Sequence, residues 1–170
     1  MGRREAGAFV NPALAIRHVT ATDRDWLKEI LERNWGGTRI VVHGREFDCL
    51  NLPALIAGER RGILIYRAAE LAEIVLLESF DPGTGLGTAL IHALIEELGK
   101  QHVSTLRVTT TNDNVEALRF YQRRGFRLRE LRVGAVDRAR ILKPSIPEIG
   151  MHSIPLRDEL ELELPIRHSK

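Results

Sequence analysis

The sequence predicts an α/β fold, and three observations lead there. Its 170 residues, 44% hydrophobic and 28% charged, match the size and composition of one folded domain. Residues 1–12 read as a flexible leader and 13–170 as that domain. Two strand–helix–strand steps follow one another between Leu71 and Val133. No apolar run approaches the ~18 residues needed to cross a bilayer, so the apolar segments are expected to pack against one another, with no membrane partner.

The same inventory excludes several classes of function. Pro12 interrupts the mildly apolar Ala6–Ile16 stretch and Arg17 ends it, which argues against a secretory signal. Cys49 is the only cysteine. An intramolecular disulfide and a thiolate-rich zinc or iron–sulfur site are therefore out, in keeping with a cytoplasmic protein. A net charge of +2 and 5% aromatic residues give no basis for nucleic-acid binding. Arg119, Arg123, Arg124, Arg127 and Arg129 do cluster. They read as a solvated face, with a phosphate-bearing partner as the alternative.

Each element has its own signal. Leu14–Val19 reads as a first strand. Thr22 or Asp23 caps a helix through Arg33 whose apolar side carries Trp26, Leu27, Ile30 and Leu31, and Asn34-Trp35-Gly36-Gly37 stops it. Thr38–Val42 is a β-branched run ending in a turn at His43-Gly44. Leu55–Gly58 and Gly62–Tyr66 read as strands joined by the charged turn Glu59-Arg60-Arg61. Leu71–Phe80 is the next strand, and a helix then runs to Leu98 with Gly99 as its stop. That helix is apolar on most sides and should be largely buried. Thr105–Thr111 has strand composition, Asn112-Asp113-Asn114 caps a helix reaching Arg124, and Gly125 sits where a left-handed cap belongs. Phe126–Val133 returns as a strand and Ala135–Leu142 as a short helix. In the last strand, Arg157–Leu164, Glu159, Glu161 and Glu163 alternate with leucines, which predicts one wet face and one dry face.

The segment Gly83-Thr84-Gly85-Leu86-Gly87-Thr88 joins a strand to the buried helix. Closely spaced glycines let backbone N–H groups point inward, and the helix N-terminus behind them adds roughly half a positive charge. The loop therefore reads either as an anion cradle suited to phosphate or pyrophosphate, or as a tight turn that binds nothing. No lysine follows, as a P-loop requires. Counting from Gly83, the last glycine of a Rossmann fingerprint is replaced by Thr88, and Thr109-Thr110-Thr111 stands where its acidic residue belongs.

A second motif, Asn114-Val115-Glu116-Ala117-Leu118-Arg119-Phe120-Tyr121-Gln122-Arg123-Arg124-Gly125-Phe126, lies downstream. With both motifs in this order the chain resembles the GNAT N-acetyltransferase superfamily. That superfamily pairs an Arg/Gln-x-x-Gly-x-Gly/Ala loop with an Asn-x-x-Ala-x-x-Phe-Tyr-x-x-x-Gly-Phe helix. The second motif matches throughout. The first matches at Gly85 and Gly87, with Pro82 where the family usually has Gln or Arg, which puts a side-chain contact in doubt and leaves a backbone cradle intact. The run Thr109–Asn114, Lys143-Pro144 with Ile146-Pro147, and Ile154–Glu159 also look like a bacterial subgroup of unassigned substrate.

The resemblance implies a mixed, mostly antiparallel sheet of six to seven strands flanked by about four helices, with a splayed strand pair forming the acetyl-CoA cleft. It implies acetyl-CoA as co-substrate without a metal, and direct acetyl transfer to an amine. The pantetheine arm would bond the backbone of Leu77 and Ser79, and the pyrophosphate would sit on the amides from Gly83 and Thr84 through Gly85, Leu86, Gly87 and Thr88. Asn114 carries over as a cofactor contact or as a plain helix cap. Tyr121 carries over as the acid beside the departing sulfur, its alternative being a core tyrosine.

The amine must lose a proton, and a carboxylate on the cleft strand could take it. Glu73 and Glu78 are the candidates, with a solvated strand residue as the alternative for each. In a regular strand they face opposite ways, so only one looks into the site unless a bulge intervenes. Backbone N–H groups near Leu77 are expected to polarise the thioester carbonyl.

His18, His43, His92, His102, His152 and His168 show no metal-ligand spacing and read as surface or satisfied side chains. Cys49 has no neighbouring histidine in sequence, which argues against an acyl-cysteine route. Trp26, Trp35, Tyr66 and the loop Arg45–Asn51 are candidates for shaping the acceptor pocket, with hydrophobic packing as the alternative for the tryptophans. The acidic terminal strand could attract a cationic amine, or carry charge as a protected edge, and a homodimer through that strand is an expectation. The acceptor is a small-molecule amine or a protein amino group. The competing function is a non-catalytic acyl-CoA-binding module.

Overall fold

The computed structural model describes residues 15–68 and 71–167; the leader expected over residues 1–12 and His168 lie outside them. In chain order the elements are β1 (Ile16–His18), α1 (Arg24–Trp35), β2 (Arg39–Val42), β3 (Arg45–Asp48), β4 (Ala54–Ala57), β5 (Gly62–Arg67) and β6 (Ala72–Ser79). Then come α2 (Leu86–Lys100), β7 (Thr105–Thr111), α3 (Val115–Gln122), β8 (Arg127–Arg132), α4 (Ala135–Leu142) and β9 (Glu159–Pro165). Among the described residues, seven strands form one sheet in the order β1-β4-β5-β6-β7-β9-β8, and β2 and β3 pair as a separate hairpin. Only β6 and β7 run parallel; the other pairs are antiparallel. This is the mixed, mostly antiparallel sheet of six to seven strands with about four helices that the resemblance implies.

The sheet buries both faces. On one, α2 contributes Leu86, Leu90, Ile91, Leu94 and Leu98, packed against Leu64, Ile74, Leu106 and Leu162. The even apolar coverage of α2 in sequence thus corresponds to real burial. On the other face, Leu27 and Leu31 of α1 and Ile40 and Val42 of β2 cover Ile63, Ile65, Val75 and Leu76.

Strand β6 is irregular along both of its edges. Its pairing with β7 consists of Ala72 with Leu106, Glu73 with Arg107 and Ile74 with Val108. Beyond Ile74 the strands part, and β6 continues to Ser79 along β5 alone. On that β5 side, Ile65 faces Leu76 while the next residue, Tyr66, faces Ile74. Val75 is therefore an extra residue, a β-bulge that shifts the facing pattern by one.

Several expectations need correction. Gly99 does not stop α2, which runs through it to Lys100. Arg45–Asp48 forms a strand and not a loop, because the left-handed backbone at His43 and Gly44 turns the chain back on itself. The terminal strand is not an edge. β9 lies between β7 and β8, paired on both sides, so it offers no free edge for strand-to-strand dimerisation. Nor is its acidic face wet: Glu159 and Glu161 are 4% and 2% exposed.

Candidate active site

The loop after β6 opens a cleft of about 990 Å³ lined by Leu77, Ser79, Pro82, Gly83 and the first turn of α2 on one side and by α3 on the other. Gly83 and Gly85 have φ of +82° and +85°, a conformation that costs most L-residues about 1–2 kcal/mol. A Cβ at either would meet no atom within 4 Å, so both glycines leave room for a ligand. Gly87 has a different reason: a Cβ there would stand 3.1 Å from the Phe120 ring, so this glycine lets α3 approach α2. The first bond onto the helix start runs from Ala89 N to Gly85 O. Among the described residues, the amides of Gly85, Leu86, Gly87 and Thr88 have no acceptor in the chain. Four converging N–H groups at a helix N-terminus suit an anion.

Arginines supply the rest of the charge. Arg124 stacks 3.4 Å over the Phe120 ring, donates to Thr88 Oγ1 and donates to Phe120 O at 2.7 Å. Arg119 and Arg123 line the same cleft. Three of the five clustered arginines thus face the cleft, which favours the phosphate-bearing alternative for them. Arg127 and Arg129 lie on β8, with Arg129 3.7 Å from Glu163.

The acetyltransferase (GNAT) family model matches residues 50–126. The chain is 35% identical over 144 residues to the uncharacterized protein YxbD of Bacillus subtilis, covering 82% of this chain and 91% of that one. The chain belongs to the GNAT acetyltransferase family. Its fold is similar to an IAA acetyltransferase from Bacillus cereus (TM-score 0.64, 20% identity, 89% of this chain and 99% of that one). It is also similar to a Bacillus subtilis acetyltransferase solved in complex with CoA (TM-score 0.62, 20% identity, 91% and 99%).

Within this GNAT fold the candidate residues separate. Leu77 and Ser79 lie on the parted stretch of β6, and Thr84 Oγ1 donates to Asp81 O at 2.6 Å, bracing the loop. Asn114 is a helix cap, its Oδ1 accepting from Ala117 N at 3.0 Å. Tyr121 is buried between Phe120 and Phe126 with edge-on ring contacts. Among the described residues its hydroxyl has no hydrogen-bond partner. Burial pushes the phenol above its ordinary pKa, with Arg124 opposing, so it carries its proton at neutral pH.

The bulge sets Glu73 and Glu78 on the same face, opposite α2. Glu78 accepts from Asn34 Nδ2 at 2.7 Å and Trp35 Nε1 at 3.0 Å, so both its oxygens are engaged in tying β6 to the end of α1. Glu73, 3% exposed, accepts from Arg67 through Oε2 at 3.1 Å, and its Oε1 lies 3.0 Å from His43 Nε2. His43 Nε2 also meets Thr109 Oγ1 at 2.8 Å, and Thr109 is the first residue of β7 past the point of parting. Glu73 and His43 thus sit at the apex of the opening, on the side away from the cradle.

His43 is not the ordinary surface or satisfied histidine that its sequence context suggests; it is a half-buried member of this group. Its signal lies in two aligned patterns, Arg107-Thr109-Thr111 and Glu159-Glu161-Glu163, which adjacent pairing sets on one face. Tyr66 drops out of the acceptor side: it faces α2 and donates to Glu97 at 2.6 Å. Trp26 packs edge-on to Phe80. Cys49 is fully buried and burial pushes its thiol up to about 12, which leaves it inert.

Proposed function

We propose that this chain transfers the acetyl group of acetyl-CoA to a primary amine by direct attack in a ternary complex, in the cytoplasm and as a single domain over 13–170. The observation that carries the reading is the parting of β6 from β7 between the unpaired amides at Gly85–Thr88 and the pair formed by buried Glu73 and half-buried His43. Five residues separate Ile74 from Ser79, roughly 16 Å at ~3.3 Å per residue, and an extended thioester arm would lie along that open edge with Leu77 and Ser79 as backbone partners. The diphosphate would rest on the amides of Gly83 through Thr88, with Arg119, Arg123 and Arg124 balancing its charge.

In this reading Glu73, directly or through His43, takes the proton from the ammonium form and frees the lone pair. The amine nitrogen bonds to the carbonyl carbon while backbone N–H groups near Leu77 hold the developing oxyanion. The carbon–sulfur bond then breaks with its electron pair on sulfur, Tyr121 gives that sulfur a proton, and the second proton of the attacking nitrogen leaves through solvent, which in turn restores the phenol. Glu78, with both oxygens engaged, positions α1 against the cleft strand.

The test is an amine panel assayed for thiol release in the presence of acetyl-CoA. Acceptor-dependent release supports the transferase. Tight CoA binding with no release from any amine, peptide or protein extract would leave a non-catalytic acyl-CoA-binding module.

A further inference from the structure

Under the β2–β3 hairpin lies a second cavity of about 480 Å³, separate in its lining from the cradle cleft. Its floor is the polar face of β6, β7 and β9, and its walls come from the hairpin and α4. Arg45, Arg67, Arg107, Arg132 and Arg138 line it against Glu73, Glu159 and Glu161. Five guanidiniums line it with three carboxylates; Glu163 and Glu130, outside the lining, also pair with Arg107 and Arg132, and among the described residues Arg45 and Arg138 are left without a carboxylate.

Two of the five guanidiniums are unspent. Among the described residues, neither Arg45 nor Arg138 has a carboxylate within ion-pair reach; Arg138 donates only to Val133 O. Among the described residues, the buried side-chain atoms without a hydrogen-bond partner are His43 Nδ1, Arg67 Nε, Glu73 Oε1 and Arg132 Nη1, and all four belong to residues lining this cavity. A buried polar atom left unpaired costs about 1–3 kcal/mol, and four around one cavity call for a ligand that completes them. Arg67 Nε and Arg132 Nη1 offer protons to an oxyanion. Glu73 Oε1, 3.0 Å from His43 Nε2 but without a hydrogen bond, lies at the apex of the strand opening, where an N–H donor would complete it.

We infer that the cavity is the acceptor site and that its ligand carries both an amine and an acidic oxyanion, carboxylate or phosphate, within one small molecule. The amine sits at Glu73 and His43 and the oxyanion at the outlying guanidiniums, whose planar forks match it in two-point fashion. The inference rests on the transferase reading for the word acceptor, while the cavity's ligand chemistry stands on its own residues.

The experiment measures binding and turnover separately. The protein amino acids, their methyl esters and their decarboxylated amines are titrated against the protein by calorimetry, with O-phosphoethanolamine and ethanolamine as the phosphate arm. The same compounds are then assayed for thiol release with acetyl-CoA. At least one acidic compound should bind about tenfold or more tightly than its uncharged counterpart, and Arg45→Gln or Arg138→Gln should shrink that ratio toward one. Neither arginine is in an ion pair, so the variants should fold, which circular dichroism checks. The arm that prefers its acid form identifies the oxyanion. Equal binding of acid and neutral forms, or no binding by any compound, overturns the inference. Turnover of plain amines without that preference overturns it and leaves the transferase standing. Binding with the preference and no thiol release overturns the transferase and leaves the ligand class standing.

Discussion

Glu73 and Glu78 lie on the same face of β6 although five residues apart, because Val75 is bulged out of the ladder between Ile65 and Tyr66. Their surroundings diverge all the same. Glu78 has a donor on each oxygen, whereas Glu73 keeps one oxygen without a hydrogen bond beside His43. Glu73→Gln is expected to lower kcat/KM about 100-fold, within the usual range for loss of a general base. Glu78→Gln is expected to cost about 1 kcal/mol of stability, as weakened ties to Asn34 and Trp35 would, with kcat reduced less than tenfold. Steady-state kinetics and urea unfolding on both variants check the contrast.

Tyr121→Phe removes a hydroxyl that has no hydrogen-bond partner among the described residues, so its unfolding midpoint should match the parent protein. If the phenol protonates the departing sulfur, kcat falls about 100-fold while the KM for acetyl-CoA stays within about twofold. A Tyr121→Phe protein with unchanged kcat would return this residue to a purely packing role.

Much of this is legible in the sequence, and the rest is hidden for identifiable reasons. The glycine loop, the Asn114–Phe126 motif and the bounds of α4 are local patterns, each set by neighbours in the chain. The bulge at Val75 has no local signature, since it exists only through the register that β5 imposes. His43 meets Thr109 across 66 positions of sequence, and its role needs the hairpin folded down over the sheet. The alternation in β9 predicts the right period and the wrong exposure: Glu159 and Glu161 are covered by that same hairpin, and Glu161 is matched by Arg107 and Arg132. Burial pushes the Glu159 pKa up, with Arg132 and Arg138 opposing.

At Gly85 a substitution tests the cradle without disturbing the core. Gly85→Ala places a methyl group in open space at a φ of +85°, so the fold should lose only the roughly 1–2 kcal/mol of left-handed strain. CoA affinity should drop about tenfold as the methyl meets the bound diphosphate, measured by calorimetry. Unchanged affinity would move the diphosphate elsewhere.

Asp23 is expected to shape the acid limb of stability. It is 1% exposed, takes a two-point bond from Arg17 at 2.6 and 2.9 Å, and accepts from Thr20 N and Arg60. The Arg17 bonds hold its carboxyl well below the ordinary range, with burial opposing. A depressed native pKa stabilises the fold above the unfolded carboxylate pKa of about 4, and that stability is lost as pH falls below it. Asp23→Asn should therefore cost about 2 kcal/mol at pH 7, and the gap from the parent protein should narrow by pH 3. Urea midpoints at the two pH values decide it.

The β2–β3 hairpin shares no ladder with the seven-stranded sheet and is fastened at its base by Lys143, whose Nζ donates to Trp35 O and Arg39 O. A lineage could therefore rewrite the tip of this flap, Gly44 and Arg45 included, and retune which molecules are admitted without unzipping one rung of the scaffold or disturbing the nucleotide end of the machine. On the proposed reading, choice of guest rests with the hairpin and handling of the donor with the loop that follows β6.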